Sequence, residues 1–126
     1  MRAVDTNVLV RLITRDDPKQ VSSADAFVAK GAWVSHLVLA ETVWVLDSVY
    51  KLNSEQIVTA VAMLLNHEHL TIQEADVVAT ALESFRKRPA VSLTDNLILE
   101  VARKNGHVPV GTFDRNFGRL EGVERL

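Results

Sequence analysis

The sequence predicts an α/β protein whose mostly parallel sheet, of about five short strands, is covered by helices on both faces. The first observation is that short apolar segments alternate with longer segments of helical periodicity along the 126-residue chain. The second is the composition, with 48% hydrophobic and 24% charged residues, which is typical of a globular protein. The third is that the chain shows no repeat, low-complexity segment or linker, which predicts a single domain over residues 1–126.

The first predicted strand runs directly into an acidic residue. Ala3 and Val4 precede Asp5, and apolar residues at helical spacing follow over residues 8–13. Asp5 has two interpretations. Aspartate is a favoured cap at the start of a helix, and the end of a first strand is where open α/β sheets bind their ligands. From this stretch alone, the helix cap is the favoured interpretation.

Helices and short strands alternate through the middle of the chain. Pro18 is typical of the first turn of a helix, and Gly31 is typical of the residue that follows one. Leu70 and Ile72 flank Thr71 in the alternating pattern of a half-buried strand. In order, the predicted elements are a helix over residues 18–30, a strand over 32–35, helices over 36–50 and 55–66, and a strand over 70–72.

The C-terminal part of the chain begins with a helix that ends in basic residues just before Pro89. Asn105 and Gly106 close the next helix, and Pro109 is typical of the start of a strand or of an edge strand. Residues 90–93 are compatible with either a strand or a buried turn. In order, the predicted elements are helices over residues 74–88 and 95–105, a strand over 108–113 and a short final strand over 123–126.

Charge and composition exclude several classes of protein. The formal net charge is −2 and the pI is about 6.1, which argues against nucleic-acid binding by bulk charge but leaves room for a local basic rim. The lack of cysteine excludes disulfides, thiolate metal sites and a catalytic thiol. No apolar stretch approaches the ~20 residues of a membrane span, and Asp5 interrupts the place of a signal-peptide core. We therefore expect a cytoplasmic protein that does not bind a membrane.

Glu41 stands in an apolar part of a predicted helix. Its neighbours one turn away are Leu37, Val38, Trp44 and Val45. We therefore expect the carboxylate to be buried, which is unfavourable unless it is paired. No lysine or arginine lies between positions 31 and 50, so a partner must come from elsewhere in the chain or be a cation. The alternatives are a salt bridge to a buried arginine and a helix turned so that this face is partly wet, but a functional role is favoured.

Two further aspartates lie at the edges of apolar segments. Asp95 competes with Thr94 to cap a helix, and Asp114 follows the last long strand, where an ordinary turn aspartate is also expected. Because the strands of a parallel sheet all end on one side, we expect both to converge with Asp5 and Glu41. Converging carboxylates raise one another's pKa values, and a hard divalent cation relieves their repulsion. With a metal-activated water, this pattern favours phosphoester hydrolysis.

Four short motifs surround these acids. They occupy residues 4–9, residues 39–46, residues 95–98 together with 102–106, and residues 112–117. Each motif alone is weakly specific. All four in this order, at this length and over nearly the whole chain, resemble the PIN domain family, and specifically its VapC-type ribonuclease toxins.

The resemblance implies an α/β/α sandwich and an endoribonuclease that cleaves single-stranded RNA with Mg²⁺, for which Mn²⁺ can substitute. It implies a homodimer and inhibition by a small VapB-like antitoxin encoded alongside, with a larger hetero-oligomer as their complex. The implied metal-binding and catalytic residues are Asp5, Glu41, Asp95 and Asp114, with Asn7 and Thr112 as polar groups beside Asp5 and Asp114.

The chain departs from the family pattern at three positions near these acids. Many relatives have an aspartate where this chain has Ser92, and another in the last motif where it has Asn116. Many have alanine or cysteine in place of Asn96. The core of four acids is complete, and the accessory metal ligands stay open.

Apolar helix surfaces and basic residues indicate where partners bind. The first four helices carry more large apolar groups than one small core is expected to bury, which predicts surfaces for dimerisation and for the antitoxin. These groups include Leu12, Phe27, Trp44 and Leu64. Without the four acids the formal charge would be +2 rather than −2, which leaves a basic rim for RNA phosphates. The candidates for this rim are Arg11, Arg15, Arg115 and Arg119.

Two other functions stay open. The stretch from Asp5 to Asn7 is also similar to the start of haloacid-dehalogenase-type phosphatases, but those enzymes need a second aspartate at the position of Asn7 and a separate lysine motif. The other alternative is a catalytically silent PIN scaffold, which would keep its biological effect after Asp5 is substituted. His67 and His69 have no further clustered ligands, so we interpret them as part of a solvated turn rather than as a metal site.

Overall fold

The computed structural model describes all 126 residues, which form two compact units, Met1–Ala75 and Asp76–Leu126. The elements of the first unit are β1 (Arg2–Ala3), α1 (Thr6–Thr14), α2 (Pro18–Val28), β2 (Ala32–Val34), α3 (His36–Ser48), α4 (Ser54–Leu65) and β3 (Leu70–Ile72). Those that follow are α5 (Ala75–Lys87), α6 (Leu93–Lys104), β4 (Val110–Thr112), a 3₁₀ turn (Phe117–Arg119) and β5 (Val123–Arg125). None of the helices combines the length and the apolar character that a membrane span needs.

The first unit contains a three-stranded parallel sheet in the order β1-β2-β3. Ala3 lies opposite Trp33, which in turn lies opposite Thr71. The N–H of Val4 donates to the carbonyl of Trp33 over 3.2 Å, which extends the pairing by one residue. Because the strands are parallel, their carboxyl ends lie on one side of the sheet, and Asp5 follows the first of them.

Polar side chains cap the helices of the first unit, and apolar side chains of these helices form its core. Asp5, Asp17, Ser35 and Asn53 each accept a hydrogen bond from a backbone N–H in the first turn of a helix. Each cap satisfies a donor that the helix leaves unpaired and contributes about 1 kcal/mol. The side chains that are less than 2% exposed in this unit include Leu9, Val34, Leu39, Leu46 and Leu64.

The second unit packs α6, the 3₁₀ turn and two parallel strands around a small apolar cluster. β4 and β5 pair with Val110 opposite Val123. Ser92 caps α6 by accepting the backbone N–H of Asp95. The cluster consists of Val91, Leu99 and Phe117, against which Val110, Leu120 and Val123 pack.

The predicted α/β class is confirmed, since five short strands alternate with six helices and every strand pairing is parallel. Three strands pair in the first unit and two in the second. Residues 90–93, which the sequence left open, form a turn that runs into α6 at Leu93. The cap of α6 is Ser92, so the prediction that Thr94 or Asp95 fills that position was wrong. The single domain over residues 1–126 stays a prediction.

Candidate metal-binding and catalytic residues

Asp5 is the cap of α1, as its sequence context favoured. Its Oδ1 accepts the backbone N–H of Val8 over 3.3 Å, and the residue as a whole is exposed. This hydrogen bond uses one carboxylate oxygen, and Oδ2 makes none. The capping role therefore leaves Asp5 with an oxygen that can bind a ligand. Asn7, the polar group predicted beside Asp5, is exposed in the first turn of the same helix.

Glu41 is exposed, and the prediction that its carboxylate is buried was wrong. Leu37 and Trp44, which lie on the same face of α3, are 84% and 62% exposed. The opposite face carries Leu39 and Leu46 and packs into the core. Because α3 is apolar on both faces, periodicity could not decide which face is buried. Glu41 is thus an accessible acid between two accessible apolar side chains. This is the alternative in which the helix is turned so that the Glu41 face is partly wet.

Asp95 lies in the first turn of α6, where its backbone N–H donates to Ser92 Oγ over 3.0 Å. Partial burial raises the pKa of the Asp95 carboxyl above its ordinary value, and the charge of Asp114 raises it further. A hydrogen bond with Ser92 partly opposes both effects. The charge of Asp114 therefore disfavours the ionised form of Asp95.

Asp114 is held by three hydrogen bonds in the segment that follows β4. Its Oδ1 accepts the N–H of Phe117 over 2.7 Å, and its carbonyl accepts the N–H of Gly118 over 3.0 Å. Its own N–H donates to Thr112 Oγ1 over 3.0 Å. The turn role that the sequence suggested is present, and again one carboxylate oxygen, Oδ2, makes no hydrogen bond. The Thr112 hydroxyl thus contacts the backbone N–H of Asp114 and not its carboxylate.

Ser92 and Asn96, two positions where the chain departs from the family pattern, support the segment that leads to Asp95. Asn96 is 2% exposed, and its Nδ2 donates to the carbonyl of Val91 over 3.2 Å and to that of Ser92 over 2.9 Å. Sequence reasoning missed this role. The available signal was a polar residue between apolar helix positions, one turn after the Ser92 cap. Asn116 is exposed and makes no capping hydrogen bond with its side chain.

The chemistry of the second unit fits a hard divalent cation. The four predicted acids are divided equally between the two units, and in neither unit are three acidic or histidine side chains grouped to hold a metal ion. Asp95 and Asp114 offer carboxylate oxygens, and neither carboxylate forms an ion pair with a lysine or arginine. A cation that prefers oxygen ligands would relieve the repulsion between them. Their oxygens are therefore of the kind that a hard divalent cation binds, and the set of four ligands stays a prediction.

Two of the arginines expected on a basic rim are held by acids of the first unit. Arg11 Nη1 lies 3.0 Å from Asp16 Oδ1, and Arg15 forms a forked pair with Asp25 at 3.3 and 2.8 Å. These ion pairs compensate the two positive charges locally, so neither arginine is free for RNA phosphates. The arginines of that set that are exposed and make no ion pair are Arg115 and Arg119.

As expected, the large apolar groups of the first four helices are not all buried. Leu12 and Leu64 are 5% and 0% exposed and belong to the core. Phe27 is half-buried, and Trp44 is largely exposed. His67 and His69 lie in the turn before β3, where His69 Nε2 is 3.0 Å from Glu68 Oε1.

Comparison with known proteins gives one family match. The profile of the PIN domain family matches residues 2–123. No curated protein matches the chain. Among solved structures, the chain is similar to the crystal structure of the sarcin–ricin loop cleaving toxin VapC20 of Mycobacterium tuberculosis, with 23% sequence identity and a TM-score of 0.43 over 98% of each chain.

Proposed function

We propose, from the premise that this chain belongs to the PIN domain family, that it is a divalent-metal-dependent endoribonuclease. Its substrate in this proposal is single-stranded RNA, and its biological role is that of the toxin in a VapBC-type toxin–antitoxin pair of the cytoplasm. The observation that carries the proposal is that Asp5 and Asp114 each hold one carboxylate oxygen on a backbone N–H and keep the second oxygen without a hydrogen bond. Carboxylate oxygens without a cationic partner are the donors that Mg²⁺ prefers.

In this proposal the metal is held by carboxylates that are already oriented by the fold. When bound, it would neutralise charge on the phosphodiester and lower the pKa of a water. Asp5 and Asp114 each keep one oxygen on a backbone N–H, which restricts the rotation of the carboxylate and leaves the second oxygen available. The proposed ligands are Asp5, Glu41, Asp95 and Asp114.

The residues around the acids act as positioning groups. Thr112 accepts the N–H of Asp114 and so fixes the backbone from which that side chain extends. Asn96 donates hydrogen bonds to the carbonyls of Val91 and Ser92, and this segment leads directly to Asp95. Rigid support of this kind keeps metal ligands in place between binding events. We infer that Asn96 supplies support near Asp95, where many relatives carry a smaller residue.

The exposed face of α3 is the surface that we assign to the antitoxin. Leu37 and Trp44 lie on either side of Glu41, so a chain that covers these apolar groups also reaches an acid of the proposed site. Exposed apolar groups of this size are typical of surfaces that another chain covers. We propose that homodimers of this protein combine with a small VapB-like antitoxin that covers this face and blocks the site.

The test is cleavage of a fluorescently labelled single-stranded RNA, with a matched duplex as the comparison substrate. The wild-type protein should cleave the single strand in Mg²⁺ or Mn²⁺ and not in EDTA. Asp114→Asn should reduce the rate by at least about a hundredfold, since it removes a proposed ligand. Glu124→Gln, which changes an exposed acid of the same unit, should cleave like the wild type. Equal rates for Asp114→Asn and Glu124→Gln, or full activity in EDTA, would refute the proposal.

A further inference from the structure

A groove of about 640 Å³ runs between α1 and α2 in the first unit. Its volume is within the range of pockets that bind small molecules and single nucleotides, about 300–1,000 Å³. Apolar carbon from Val8, Ala24 and Phe27 lines part of it, and polar side chains that include Asn7 and Ser23 line the rest. None of the lining residues is acidic. The groove therefore offers an apolar surface and hydrogen-bond donors without a charge that repels phosphate.

Phe27 is the aromatic side chain of this groove, and a cation covers part of it. The guanidinium carbon of Arg2 lies 3.7 Å from the centre of the Phe27 ring, and Arg2 Nη2 donates to the Phe27 carbonyl over 3.2 Å. These two contacts fix the ring and stack a planar cation on one of its faces, which leaves the other face and the edge of the ring for a ligand. Aromatic rings and guanidinium planes are the groups on which proteins stack the bases of single-stranded nucleic acids.

The two basic residues that line the groove differ in how they are engaged. Arg11 donates to Gln20 Oε1 over 2.5 Å and to the Tyr50 hydroxyl over 3.1 Å, besides its ion pair with Asp16. The bond to Gln20 joins α1 to α2, so Arg11 stiffens the groove rather than binding a ligand. Lys19 is exposed and makes no ion pair, which leaves its ammonium as the free cation of the groove.

The position of the groove relates it to the first of the proposed catalytic acids. Asn7, one of its lining residues, lies two positions after Asp5 in the first turn of α1. We propose that the groove between α1 and α2 holds one nucleotide of the substrate RNA next to the cleaved phosphodiester, with its base against Phe27 and its phosphate against Lys19. The inference rests on the proposed function, because it takes RNA to be the substrate.

The first experiment fills the groove and uses a matched control on the same helix. Ser22 and Ser23 are adjacent, exposed residues of α2, and Ser23 lines the groove whereas Ser22 does not. The probe is a short single-stranded oligoribonucleotide that carries 2′-O-methyl groups to prevent cleavage, and binding is followed by fluorescence anisotropy. Ser23→Trp should raise the Kd about tenfold or more, the effect expected when one stacked base is lost. Ser22→Trp should bind like the wild type, and circular dichroism should show that both variants are folded.

The second experiment tests the phosphate contact through its salt dependence. Lys19→Gln should reduce the slope of log Kd against log salt by about 0.7, the value for one phosphate of a single strand. Lys30→Gln, which changes an exposed lysine beyond the end of α2, should leave the slope unchanged.

The outcomes separate failure of the groove from failure of the nuclease. If Ser23→Trp and Ser22→Trp bind and cleave RNA equally, the nucleotide site is wrong while the nuclease proposal stands. If Ser23→Trp keeps RNA binding but loses its complex with the antitoxin, the groove belongs to a peptide and the inference is again wrong. If the wild-type protein neither binds nor cleaves any single-stranded RNA, the proposed function and the inference both fail.

Discussion

Replacement of Asn96 with alanine tests whether a buried amide holds the segment that leads into α6. The Nδ2 group donates to the carbonyls of Val91 and Ser92, and the side chain is 2% exposed. In the variant, the Ser92 carbonyl keeps the backbone N–H of residue 96 at 3.0 Å as a partner, whereas the Val91 carbonyl loses the amide. One buried acceptor without its donor costs about 1–3 kcal/mol, and the space left by the amide adds to this. We expect a loss of about 2 kcal/mol in the free energy of unfolding.

Asn105→Ala is the matched control for this experiment. Asn105 also donates its Nδ2 to the carbonyl four residues earlier, that of Val101 at 2.8 Å, but it is exposed at the end of the same helix. Water replaces that hydrogen bond, so the loss should stay below about 0.5 kcal/mol. Thermal unfolding followed by circular dichroism should show Tm lowered by roughly 6–10 °C for Asn96→Ala. Equal Tm values for the two variants would refute the role that we assign to Asn96.

Three further outcomes concern the acids and the partner surface. Asp95→Asn should raise the Tm of the metal-free protein at neutral pH, because the raised pKa of Asp95 means that its ionised carboxylate destabilises the folded state. The difference in Tm should vanish below about pH 4, where the aspartate is protonated in the folded and the unfolded state. A fall in Tm at neutral pH would contradict this. Trp44→Ser should leave Tm within about 3 °C of the wild type, since the side chain is exposed. The same variant should weaken the antitoxin complex in sedimentation velocity, and an unchanged complex would show that the antitoxin binds another surface. In the antitoxin, replacement of each basic residue by glutamine in turn should abolish inhibition at one position, since a guanidinium among the carboxylates competes with the metal, and uniform inhibition would indicate steric blocking.

The elements and the cap at Asp5 could be predicted because the signals that determine them are local. Pro18 and Gly31 bound the second helix within a few residues of its observed limits. Asp5 follows an apolar strand and precedes a helical pattern, so the sequence around it predicts a helix cap, and the hydrogen bond from the Val8 N–H is that cap. The start of α6 was misplaced because Ser92, Thr94 and Asp95 are all competent caps, and only the packing of the preceding turn selects among them.

The surroundings of the acids could not be predicted in the same way. Glu41 lies on a helix that is apolar on both faces, so the choice of the buried face depends on the other helices and not on α3 itself. The repulsion between Asp95 and Asp114 depends on how the segment after β4 folds back near α6, which no local pattern encodes. The buried hydrogen bonds of Asn96 likewise depend on the turn at residues 88–91.

Titration of the protein with Mn²⁺, followed by electron paramagnetic resonance of the free ion, tests the central claim most directly. The proposed metal ligands are Asp5, Glu41, Asp95 and Asp114. Single substitutions to the corresponding amide should each weaken Mn²⁺ binding by at least about tenfold. The substituted residues are Asp5, Glu41, Asp95 and Asp114. Asp47→Asn, which changes an exposed acid of α3, should bind Mn²⁺ like the wild type. If only the Asp95 and Asp114 variants lost affinity, while the Asp5 and Glu41 variants bound normally, Asp5 and Glu41 would not be ligands and the proposed set of four would be wrong.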